Sequence, residues 1–252
     1  MRIISRLDIK QGILIKSIMF DGVRKLGSPD EFAKKYYQQG IDELILINNT
    51  GSLYNTKLDK SIVKRIRVGK AIPISAGGGI TCYDDAMELI ENGCDKIVLN
   101  SLIHKNTNEV KKIIKSIGSS SVIGSIQYEK RDDKYISLYE MARETNYLAL
   151  KDTLKLYSDL GVGEILITHV TRDGCYSGLS DEIKEEILKY NKKIPILLSG
   201  GFSESSELYQ FKNFLSGVVI SSAFHYEKID VKKVIDYRNE IFNEEFSINE
   251  KE

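Results

Sequence analysis

Ile72-Pro73-Ile74-Ser75-Ala76-Gly77-Gly78-Gly79 returns later in the chain as Ile194-Pro195-Ile196-Leu197-Leu198-Ser199-Gly200-Gly201, an offset of 122 residues. Gly40-Ile41-Asp42-Glu43-Leu44-Ile45-Leu46 returns as Gly161-Val162-Gly163-Glu164-Ile165-Leu166-Ile167, and Asn100-Ser101 as Ser221-Ser222, both at 121. The offset is about half of 252 residues, so the chain is a doubled unit. Short β-branched runs alternate with helical segments in each copy, the pattern of parallel strands joined by crossover helices. Two units of about four strands and four helices close into an eight-stranded barrel. The predicted fold is α/β, a (βα)8 TIM barrel built from two half-barrel repeats, with strands at 3–8, 43–48, 73–76, 96–100, 121–126, 164–169, 195–199 and 217–221.

Punctuation between the strands agrees. Ser28 reads as an N-cap with Pro29 at the first helical position and Glu31 completing a capping box, and Gly40 stops that helix. Gly93 and Gly161 end two further helices in the same way. The polar stretch from Lys130 to Asn146 exceeds what a barrel connection needs and predicts a hairpin or a lid. Residues 1–241 form one barrel domain, and 242–252 read as a polar tail that frays.

Lys plus Arg and Asp plus Glu both total 36, so the net charge of zero offers no footprint for nucleic acid or an anionic membrane. Cys82, Cys94 and Cys175 are an odd set without metal spacing, as expected of reduced thiols in a cytoplasmic protein. The N-terminus reads as a strand rather than a signal peptide, and no apolar run approaches the ~18 residues of a membrane span. No cofactor or metal is implied; His104, His169 and His225 are scattered, and His169, at a strand end, could face the mouth but reads as a satisfied structural histidine before a metal ligand.

Active sites of such barrels gather at the C-terminal strand ends. Gly78-Gly79 and Gly200-Gly201 end strands three and seven, where small residues let backbone amides approach an anion; simple relief of crowding at a tight turn is the alternative. Asn100-Ser101 and Ser221-Ser222, one strand further on, could donate to the same anions. Two phosphate sites related by a pseudo-twofold axis follow, with Asp173-Gly174 either part of the second or a plain turn. Asp8 ends strand one as a candidate acid–base or structural carboxylate, and Lys16 follows it at the mouth as a candidate substrate- or phosphate-binding residue. Its mate by the repeat is Gln127, and an amide cannot shuttle a proton. Arg2, Glu43, Lys96 and Glu164 each open a strand and should ring the opposite end, as a salt-bridged plug or as a gate for a docked partner.

These residues resemble the cyclase subunit of imidazole glycerol phosphate synthase, from histidine biosynthesis, over about residues 1–235. The resemblance rests on Arg6-Leu7-Asp8-Ile9-Lys10, Gly77-Gly78-Gly79-Ile80, Asp95-Lys96-Ile97-Val98-Leu99-Asn100, Gly163-Glu164-Ile165, Arg172-Asp173-Gly174 and Ser199-Gly200-Gly201. It implies a lyase-type barrel that takes ammonia from a glutamine amidotransferase docked on its N-terminal face and passes it to a bisphosphorylated ribosyl substrate. By the same resemblance Arg2, Glu43, Lys96 and Glu164 match the ammonia gate, Asp8 the first of two catalytic aspartates, and Lys16 a lysine near the mouth.

Three positions depart from that pattern: Gln127 replaces the second catalytic aspartate, and Asn48 and Thr171 replace acidic residues at strands two and six. Residues 20–29 and 51–55 look more like a paralogous branch associated with acetamidino modification of surface sugars. The expectation is a cyclase-subunit homologue diverged to ammonia-dependent amidination there, supplying a separate sugar amidotransferase. Its rivals are a working histidine-pathway cyclase and a non-catalytic conduit that holds a phosphorylated ligand.

Overall fold

The computed structural model describes residues 1–190 and 194–249. Among the described residues, eight parallel strands close on themselves: Arg2–Lys10, Glu43–Asn48, Ile74–Gly77, Lys96–Leu99, Val122–Arg131, Glu164–His169, Ile196–Ser199 and Gly217–Ile220, strands one to eight in chain order. Closure comes from strand eight pairing in parallel with strand one, Ile4 lying opposite Val219. All eight predicted strands are present. Strand one and strand five run on to Lys10 and Arg131 because each continues into an antiparallel hairpin, with Ile13–Ile18 and Asp21–Gly27 in one case and Lys134–Leu138 in the other. The stretch from Lys130 therefore forms a hairpin.

Strand side chains alternate between two sides. Ile3, Leu7, Leu44 and Leu46 point outward into the large cluster shared with the helices, whereas Ile4, Ile45, Val98, Ile123, Leu166, Leu197 and Val219 point inward and fill the barrel axis. That inner layer divides the axis, with Arg2 and Glu43 on one side of it and Arg6 and Asp8 on the other. The helices follow their sequence cues. Lys60–Arg67 is capped by Asp59, whose carboxylate accepts from the Ser61 amide at 2.9 Å, and buries Ile62, Val63 and Ile66. Ser28 and Pro29 do start the helix Pro29–Gln38, but the capping box with Glu31 does not form. The Ser28 hydroxyl instead approaches Asp30 at 3.5 Å. The expectation that the chain frays from Phe242 is also corrected: the last helix runs Val231–Asn249, and residues 250–252 lie outside the described part.

The duplication extends to atomic contacts. Gly78 and Gly200 have φ of +94° and +98°, and a Cβ on either would strike the carbonyl of Asn48 or His169, at 2.2 and 2.6 Å. Gly79 and Gly201 have φ of +77° and +100° and would strike the carbonyls of Thr56 and Gly178, at 2.0 and 2.2 Å. Only glycine fits both positions in both halves, because the conformation is left-handed and the opposing backbone cannot retreat. Asp85 accepts from the amides of Thr81 and Cys82, and Glu207 accepts from those of Ser203 and Glu204, so each half pins the loop after its glycines with one carboxylate.

Candidate active site

The two glycine pairs open into separate clefts at the C-terminal end of the barrel. The first, of about 670 Å³, is bordered by Gly78, Gly79, Asn100, Ser101, Asp8 and Gln127. The second, of about 270 Å³, is bordered by Gly200, Gly201, Ser221, Ser222, Asp173 and Gly174. The structure thus places each predicted set together, four residues of each repeat around one concavity. Their hydroxyls are not equivalent. Ser101 Oγ accepts from the Glu140 amide at 3.2 Å, and Ser221 Oγ donates to the Arg6 carbonyl at 2.8 Å, whereas the buried Ser222 hydroxyl has no partner among the described residues. The Asn100 amide donates to the Ser125 carbonyl at 2.8 Å and fixes the rim of the first cleft.

Between the clefts lies a buried ionic network. Lys16 Nζ donates to Asp173 Oδ2 at 2.6 Å and lies 3.6 Å from Asp8 Oδ2. Arg6 reaches the same two carboxylates, with Nε 3.1 Å from Asp8 Oδ1 and Nη2 3.4 Å from Asp173 Oδ1. Arg6 is 4% exposed and Asp8 and Lys16 are 1% exposed. Two cations against two anions make this burial tolerable, since an unpaired ion here would cost several kcal/mol. Burial opposes charge on Arg6, but Asp8 and Asp173 outweigh it and raise its pKa. Burial likewise pushes Asp173 up, and Lys16 and Arg6 outweigh it, holding the carboxyl below the usual range. Lys16 is thus bonded to carboxylates and borders neither cleft.

Arg6 was quoted in the sequence only as part of a motif, yet it is the largest polar group at the mouth. Phe20 covers it, with the guanidinium carbon 5.8 Å from the ring centre. Phe20 of the first hairpin, Leu138 and Met141 at the end of the second, and Val170 after strand six form an apolar roof, tied by Arg143 to Asp21 at 3.1 Å. The three neutral departures have defined partners. Gln127 Oε1 accepts from the Ala142 amide at 2.7 Å, Asn48 donates to the Thr56 carbonyl at 3.1 Å, and Thr171 is exposed with its hydroxyl 3.1 Å from His169 Nε2. His169 does not face the mouth. It follows inward-facing Glu164, Leu166 and Thr168 by an odd step, and its ring stacks on Tyr128, an outer-layer residue, at 4.6 Å. Among the described residues no group of His, Cys, Asp and Glu is arranged to hold a metal ion.

At the opposite end Arg2, Glu43, Lys96 and Glu164 meet as the spacing requires. Arg2 bonds Glu43 at 2.5 Å and also Glu164; Lys96 lies 3.1 Å from Glu164 and 3.7 Å from Glu43. Glu43 is fully buried and also accepts from Ser75 Oγ at 2.7 Å. Each cation spans both anions, so the ring closes the end of the barrel without an unpaired charge.

The fold and mouth define a duplicated (βα)8 barrel with paired glycine clefts around a central carboxylate. The model of the family described as "Histidine biosynthesis protein" matches residues 2–230, and the chain belongs to that family. Relatives include proteins named imidazole glycerol phosphate synthase subunit HisF from Natranaerobius thermophilus (31% identical, covering 95% of this chain and 96% of the relative), Thermococcus onnurineus (32%, 94% of each) and Legionella pneumophila (34%, 82% and 97%). No helix among the described residues is long and apolar enough to cross a membrane.

His225, buried beside this site, bonds Tyr36 OH through Nδ1 at 2.6 Å, and burial together with Lys16 pushes its pKa down to about 3. The unfolded chain, with an ordinary histidine pKa of about 6.5, binds this proton before the folded one does. Stability contributed by the neutral ring is therefore full above about pH 6.5 and is lost as pH falls toward 3, on the order of 1 kcal/mol per pH unit. Urea unfolding across that window should show a shallower acid slope for His225→Asn than for the parent; identical slopes would mean that the ring titrates normally in the fold.

Proposed function

We propose that this chain is the synthase subunit of a glutamine-dependent complex, taking ammonia from a HisH-type glutamine amidotransferase docked on the Arg2–Glu43–Lys96–Glu164 face and using it at the mouth on a phosphorylated ligand. One observation carries this reading: two glycine clefts of repeated geometry flank Asp8, in a chain similar along nearly its whole length to proteins named as subunits of imidazole glycerol phosphate synthase. Those names favour ring closure of the bisphosphorylated ribosyl precursor in histidine biosynthesis over amidination of a surface sugar. In that reaction the clefts take the two phosphates and Asp8 is the carboxylate nearest the reacting centre. Gln127 can hold a hydroxyl or carbonyl of the substrate, but it moves no proton.

A second reading is favoured by the mouth itself. Gln127, Asn48 and Thr171 leave Asp8 without the second carboxylate that paired acid–base chemistry uses. On this reading the ammonia serves a separate sugar amidotransferase in acetamidino modification. Single-turnover assays with ammonium salt and the bisphosphorylated ribosyl precursor, with binding followed in the same sample, separate the two. Product formation is expected for the cyclase, and binding without product would favour ammonia delivery. Gln127→Asp should raise the rate about a hundredfold, the low side of what a positioned general acid or base contributes. Unchanged turnover with unchanged binding would contradict a weakened cyclase.

The ring is tested separately in the reconstituted complex. Lys96→Met should abolish coupling of glutamine hydrolysis to synthesis while ammonium-driven turnover persists. A fall in thermal stability alone would mark the ring as a structural plug.

A further inference from the structure

We propose that Arg6 sets which phosphorylated ligands the mouth accepts, because its guanidinium closes the way between the two glycine clefts and engages Asp8 at rest. The inference rests on the phosphate reading of those clefts. Arg6 borders the first cleft, and its Nη2 lies 3.4 Å from Asp173, which borders the second. Leu166 and Val219 of the axial layer floor the first and second clefts respectively, and the Phe20 ring roofs the guanidinium at 5.8 Å. Floor and roof enclose Arg6, 4% exposed, at the point of the ionic network where the two clefts come nearest to its guanidinium.

The consequence is selective. A ligand with a phosphate at one end can enter one cleft and leave Arg6 in place. A ligand with a phosphate at each end must pass its middle through the position of the guanidinium, and so must separate it from Asp8 and Asp173. Breaking a buried pair is costly, and that cost falls on two-ended ligands alone. The contact is held through one nitrogen: Arg6 Nη2 donates to Asp8 Oδ2 at 3.3 Å and to Asp173 Oδ1 at 3.4 Å, whereas Arg6 Nε and Asp8 Oδ1, 3.1 Å apart, make no hydrogen bond among the described residues. Displacement of Arg6 would at the same time bare Asp8 to whatever lies between the phosphates. Arg6 is thus a specificity-determining residue, coupling occupation of both clefts to release of the carboxylate.

Calorimetric titration of the full chain, without ammonia, tests this with ribose 5-phosphate as the one-ended probe and the bisphosphorylated ribosyl precursor as the two-ended one. Arg6→Ala should strengthen binding of the two-ended ligand at least about tenfold and change ribose 5-phosphate less than about threefold. If Arg6→Ala does not fold, the double variant Arg6→Ala with Asp8→Asn keeps the buried charges balanced and should show the same shift. Unchanged or weaker binding of the two-ended ligand by a folded variant would overturn the role of Arg6 while leaving the phosphate reading intact. Failure of both ligands to bind any of the proteins would sink the phosphate reading and this inference with it.

Discussion

The strict alternation of side chains along closed strands is the constraint on which the rest depends. Once strand eight pairs with strand one, every second residue of every strand is committed to an axis that water cannot fill freely. Strand one shows the result in sequence order: Arg2 in the ionic ring, Ile4 in the apolar layer, Arg6 and Asp8 in the mouth. The barrel therefore has two chemically distinct ends separated by packed aliphatic side chains. Charge is admitted to each end only in balanced sets, because burial penalises any remainder.

The two ends differ in how they spend their polar groups. The ring closes on itself, each cation between two carboxylates. The mouth combines a balanced ionic centre with open clefts on either side, where glycines bring backbone close and the Ser222 hydroxyl has no partner among the described residues. Positive φ at Met19 and Phe20 marks the tip of the first hairpin, and at Met141 and Ala142 the turn that follows the second; together they roof this centre. Such backbone is held in place by what it packs on, and here that is Arg6 and the opposing hairpin.

Much of this was legible in the sequence because the repeat and the period-two pattern act over short stretches. The eight strands, the paired glycines and the four ring residues all follow from local spacing. Arg6 was missed although the same spacing contains it: if Arg2 and Asp8 face the axis, so does Arg6. Its partner Asp173 is 167 residues away, and only barrel closure reveals the pair. The same rule decides between the two readings of His169, since inward Glu164 fixes an outward, structural His169. Lys16 was set at the correct end, but a sequence cannot say that two carboxylates claim its ammonium. The capping box expected at Ser28 does not form, and its hydroxyl points to Asp30 at 3.5 Å.

The central claim is that the duplicated halves give two anion sites at one end of the barrel. Hydrogen–deuterium exchange of the full chain with and without saturating inorganic phosphate addresses it most directly. The account predicts slowed exchange at Gly78, Gly79 and Ser101 together with Gly200, Gly201 and Ser222, and unchanged exchange around Arg2, Glu43, Lys96 and Glu164. Protection confined to the ring end, or absent from both glycine loops, would contradict it.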